Sequence, residues 1–61
     1  MNTMTFNAWM TAVDIEISNR VMGMTSSDLP DCCYADWHED GLTPKAAAIR
    51  AIRNAKDEGE I

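Results

Sequence analysis

Glycine and proline divide this chain into three segments, and no other feature restricts its fold as strongly. Gly23 and Gly41 stand just past two apolar runs, while Pro30 and Pro44 open the segments that follow. Glycine takes φ > 0 freely and closes helices at the C′ position, whereas proline, with φ fixed and no N–H, fits only the first helical turn. Regular structure is therefore confined to residues of about 5–22, 30–40 and 44–57. No run alternates apolar with polar residues for long enough to nucleate a sheet, so each segment is expected to be a helix.

In the first segment Phe6, Trp9, Met10, Val13, Ile17 and Val21 recur at intervals of three and four, the spacing of one helical face. Asn7, Thr11, Asp14, Ser18 and Arg20 fall mainly on the other side, and Ile15 lies off the apolar stripe, which predicts that it is exposed. Thr5 can cap this helix through its hydroxyl, Gly23 can end it, and Met24 supplies the apolar residue that often follows such a cap.

The second segment is expected to start at Pro30, with Leu29 extended before it and the acids Asp28 and Asp31 at the positive end of the helix dipole. Cys33, Tyr34 and Trp37 continue at helical spacing up to Gly41, and Leu42 follows the cap. Thr43-Pro44 repeats the start signal for the third helix. Its many alanines give strong helix propensity, and Ala48, Ile49, Ile52 and Ala55 form a narrow apolar stripe that permits close approach.

These elements predict an all-α, compact three-helix domain over residues 1–61, with 57–61 as a frayed tail. Its expected core is Phe6, Trp9, Met10, Val13, Ile17, Leu29, Tyr34, Trp37, Leu42, Ile49 and Ile52. At 61 residues a chain hides only about 60% of the surface its unfolded form exposes, so such a fold is marginal on its own. No disulfide is expected to help. Cys32 and Cys33 are adjacent, and neighbouring Cα atoms sit about 3.8 Å apart, short of the usual bridging range. Reduced thiols, the absence of a basic leader before an apolar stretch and the lack of any apolar run near 18 residues predict a cytoplasmic chain with no membrane partner. The thin core leaves a homodimer open.

The net charge of −5 is unevenly distributed. Residues 28–43 alone carry −5 through Asp28, Asp31, Asp36, Glu39 and Asp40, while residues 44–61 carry +1. A short connection makes the second and third helices a hairpin, in which Lys45, Arg50 or Arg53 could face those acids. Asp36, Glu39 and Asp40 share one helix face at i, i+3 and i+4, in a last turn where the dipole disfavours negative charge. A solvated face accounts for them; so does a docking surface for a basic partner, and these three with Ile15 are the candidate partner-binding residues.

Other chemistries find less support. Cys32, Cys33, His38, Glu39 and Asp40 cluster in sequence, but adjacent helical cysteines diverge by about 100° and no second Cys or His pair completes a tetrahedral site. Cys33 is expected to fill the core and His38 to lie at the surface, with no metal or cofactor. One histidine and no Gly-rich phosphate loop argue against an enzyme. The second and third helices resemble a helix-turn-helix in outline, yet an acidic chain lacks the basic footprint that direct nucleic-acid binding needs. An acidic surface that imitates nucleic acid fits the sign better. Met10, Met22 and Met24 are read as core or cap packing.

The residues Thr5-Phe6-x-x-Trp9-Met10, Asp28-Leu29-Pro30-Asp31 and Asp40-Gly41-x-Thr43-Pro44-x-x-Ala47-Ala48 form, with their neighbours, a series that resembles a family of very short proteins of tailed bacteriophages and prophage-like bacterial genomes. The resemblance covers about residues 4–55 and departs at Cys32-Cys33. It brings no catalytic residues with it. It implies a small accessory protein that binds and redirects a host protein in the host cytoplasm; the alternatives are an acidic nucleic-acid mimic and a self-associating structural protein.

Overall fold

The hydroxyl of Thr5 accepts from the Ala8 N–H at 3.2 Å, and the helix it caps, α1, runs Phe6–Arg20 in the computed structural model, which describes residues 4–29 and 33–59. Val21 closes α1 by donating to the Ile17 carbonyl at 2.8 Å, and Gly23 follows with φ of 81°. Two side chains of α1 then hold the departing chain. The Ser18 hydroxyl donates to the Met24 carbonyl at 2.7 Å, and the Asp14 carboxylate accepts from the Ser26 N–H at 2.9 Å. They fasten a single 3₁₀ turn, Ser26–Asp28, within which the Asp28 carboxylate accepts from the Thr25 N–H at 3.1 Å.

The second helix, α2, is Tyr34–Glu39, with Cys33 at its N-cap. Cys33 is not helical, and Asp28, expected at the positive end of the α2 dipole, instead caps the 3₁₀ turn before it. Pro30, Asp31 and Cys32, on which the expected start rests, lie outside the described residues. The end of α2 is as expected. Gly41, at φ of 83°, donates to the His38 carbonyl at 3.2 Å and Leu42 donates to the Trp37 carbonyl at 3.0 Å, the paired bonds of a Schellman motif.

Thr43 caps α3 by accepting from the Ala46 N–H at 3.2 Å, and with Pro44 at its first position α3 runs Pro44–Asp57, the interval expected. Glu58 and Gly59 close it, Gly59 at φ of 78°. Among the described residues there is no strand, and the molecule is an all-α three-helix domain.

The core lies where α3 packs on α1. Trp9, Val13 and Ile17 of α1 are fully buried, as are Ala47, Ala48, Ala51 and Ala55 of α3, with Leu29, Trp37 and Ile52 nearly so. Met10, Val21, Met24, Tyr34 and Leu42 pack around them. Two expected core residues are displaced. Phe6 and Ile49 are each 40% exposed, Phe6 because it opens α1 where little covers it, and Ile49 because α3 turns its alanines to α1. That small-residue face lets the two helices come close, and it pushes the larger Ile49 to the edge.

Contacts fix the direction of the helices. The Trp9 indole N–H donates to the Leu42 carbonyl at 2.9 Å, which puts the first turns of α1 beside the start of α3. Arg20 and Val21, at the end of α1, line one groove with Ile49, Ile52, Arg53 and Lys56 of α3. The two long helices therefore run in the same direction, and the chain between them returns to the starting end through α2.

Candidate functional site

The three expected acids gather at that starting end. Asp36, Glu39 and Asp40 are all exposed on α2 and its C-cap. His38 differs. Expected at the surface, it is half-buried: its ring is edge-on to Phe6 and Trp9, with centroids 5.6 and 5.4 Å away, and its Nε2 donates to the Met4 carbonyl at 2.9 Å. These contacts place the last turn of α2 beside the first turn of α1, and Asp40 precedes the Thr43 cap of α3 by three residues.

The acids thus lie at the end of the molecule where both long helices begin, while in the last turn of α2 they oppose that helix's own dipole. The cations of α3 do not pair with them: among the described residues no ion pair within 4 Å links α2 to α3, and the pair found is Arg20 Nη1 to Glu16 Oε1 at 2.6 Å, within α1. Arg50 is engaged elsewhere, its guanidinium carbon 5.8 Å from the Trp37 ring centroid, within cation–π range.

Ile15 is exposed, as expected, at 56%, but the structure does not join it to the acids. It lies roughly 160° around α1 from the Trp9, Val13 and Ile17 stripe, counting 100° per residue, on the back of the helix that packs against α3. Asp36, Glu39 and Asp40 form one surface; Ile15 belongs to another.

The opposite end carries a feature the sequence reading missed. Arg20, Val21, Ile49, Ile52, Arg53 and Lys56 line a groove of about 310 Å³. Its floor is aliphatic and its rim carries three cations. On α3 these positions recur at i, i+3, i+4 and i+7, which was a readable signal, but Arg20 and Val21 join them only once α1 and α3 are known to run in the same direction. The cations sit at the C-terminal, negative ends of both helices, where they offset the dipole.

Cys33 is exposed, contrary to its expected place in the core, because it is the non-helical cap residue before α2 and not part of the helix that buries Trp37. Among the described residues no three His, Cys, Asp or Glu side chains are grouped to hold a metal ion. No helix formed by the described residues is long and apolar enough to cross a membrane.

Against known proteins, the chain is 39% identical over 51 residues to the Gene 87 protein of Mycobacterium phage L5, a match spanning 84% of this chain and 94% of that one. It is 37% identical over 51 residues to the Gene 87 protein of Mycobacterium phage D29, spanning 84% and 93%. No family model matches the chain, and no solved structure gives a significant match.

Proposed function

The chain belongs to the family of short bacteriophage proteins that includes the Gene 87 proteins of Mycobacterium phages L5 and D29, and from that premise we propose that it is a non-catalytic accessory protein that binds a host protein through its acidic end, in the host cytoplasm. One observation supports this reading above others. Asp36, Glu39 and Asp40 are exposed together on a short helix anchored by the buried Trp37 and by the contacts of His38, so the carboxylates stand on a supported surface and are not neutralised across the α2–α3 turn. A supported array of one sign favours a partner of the other, since complementary fields speed encounter and fix orientation.

The test is affinity capture from a mycobacterial lysate with the full chain as bait, beside the Asp36→Lys, Glu39→Lys double variant, with circular dichroism to show that both are folded. The reading expects one or a few proteins enriched by the native chain and lost with the variant, and their elution by high salt, because exposed charge contacts are screened. Equal enrichment by both baits removes the acidic end from the function. Partners that resist salt and are lost in Ile15→Asp instead would transfer the role to the back of α1.

A further inference from the structure

We propose that the groove at the C-terminal ends of α1 and α3 is a second docking site, of opposite sign, for a short acidic polypeptide segment that carries aliphatic side chains. The lining sets the ligand chemistry. Val21, Ile49 and Ile52 form an aliphatic floor, and Arg20, Arg53 and Lys56 stand around it. Ile49 is 40% exposed, an area of hydrocarbon that a ligand could remove from water. Among the described residues neither Arg53 nor Lys56 has an ion-pair partner within 4 Å. Arg20 is tethered through one nitrogen, Nη1, to the Glu16 carboxylate at 2.6 Å and the Glu16 carbonyl at 3.1 Å, which holds its guanidinium in place.

Carboxylates suit this rim. The planar guanidinium fork matches a carboxylate in two-point contact, and a lysine adds an adaptable point charge. The dimensions suit a peptide: Ile49 to Lys56 spans about two helical turns, roughly 10 Å, and a volume of about 310 Å³ admits a few side chains. An amphipathic helix presenting apolar residues at i, i+3, i+4 and i+7 could lay that face on the floor and set its acids against the rim.

Other anions fit less well. The lining holds no aromatic residue on which the bases of a single strand could stack. The chain as a whole carries −5, so a long polyphosphate or an anionic vesicle meets repulsion outside the groove. A short acidic segment feels mainly Arg53 and Lys56, with Arg20 already shared with Glu16, since the Debye length is about 8 Å at physiological salt.

The experiment uses the full chain labelled with nitrogen-15 and a synthetic amphipathic peptide of about three helical turns, with leucines on one face and glutamates on the other. Saturable amide shifts are expected around Arg20, Val21 and Ile49 to Lys56. Affinity should fall at least tenfold with Arg53→Glu plus Lys56→Glu, with Ile49→Glu, and with a peptide whose leucines are replaced by serine. The Asp36→Lys, Glu39→Lys variant should bind the peptide as the native chain does, which separates this site from the acidic end. The proposal is overturned if the shifts do not saturate, if the serine peptide binds equally, or if oligothymidylate or phosphatidylglycerol vesicles bind the groove more tightly. It is also overturned if the groove amides shift with protein concentration alone, which would make a second copy the occupant.

Discussion

The two ends of this molecule are built from the same helices and carry opposite charge. At one end α2 carries the exposed Asp36, Glu39 and Asp40; at the other, Arg20, Arg53 and Lys56 line the groove near the C-termini of α1 and α3. Two helices running in the same direction add their dipoles, and the cations at the C-terminal end offset them. The ends differ in what lies beneath the charges: the acidic end is backed by packed rings of Phe6, Trp9, His38 and Trp37, and the basic end opens on a half-covered aliphatic floor.

Four substitutions probe this contrast, beginning with the largest effect. Trp9→Ala should cost about 3–5 kcal/mol, because it removes a fully buried ring and the indole bond to Leu42 that ties α1 to the start of α3. In a domain this small the loss should abolish the cooperative thermal transition seen by circular dichroism; a transition near the native temperature would show that the acidic end is not the structural anchor. Ala51→Leu should cost about 1–3 kcal/mol, measured by urea denaturation, because it drives apart the helices whose alignment defines both ends. If it is neutral, the close approach of α1 and α3 is not what the alanines supply.

Lys56→Glu should cost about 0.3–1 kcal/mol at low ionic strength, whereas Asp40→Lys should cost nothing, because Asp40 is the C-cap of α2, where a cation suits the dipole. The Lys56 loss should shrink in 1 M salt, where the Debye length is about 3 Å. Equal losses at both ends would show that Asp40 serves the α3 dipole and not that of α2. Glu16→Gln should cost least, about 0.2–0.5 kcal/mol, since it removes an i,i+4 ion pair whose side chains are each about a third exposed. The same substitution frees Arg20, so it should also change the affinity of the groove for acidic peptides.

Much of this was legible in the residues because it is local. Thr43-Pro44 fixes the start of α3, Gly41 ends α2, and the Trp9, Val13 and Ile17 spacing identifies the buried face of α1, each through chemistry contained within a few positions. Where two elements decide together, the residues alone mislead. Ile49 looked like core until the alanine face of α3 was set against α1, and Phe6 until its place on the first turn left it with few neighbours. The 3₁₀ turn at Ser26–Asp28 depends on Asp14, twelve residues before Ser26, which no local window contains. Asp36, Glu39 and Asp40 were found as a set since they share one short helix, whereas the basic groove needs residues from two helices and the direction in which those helices run.

The placement of the two tryptophans has an optical consequence. Trp9 is held to Leu42 and Trp37 ends at the Schellman turn, so both report on the half of the molecule where α1 and α3 begin. The groove has no aromatic lining. Intrinsic fluorescence will therefore record melting and binding at the acidic end and respond weakly to events at the basic one. Far-ultraviolet dichroism sees all three helices. If the C-terminal turns loosen first on heating, the dichroism curve should fall before the fluorescence curve, and the gap between them would measure how independently the two ends hold together.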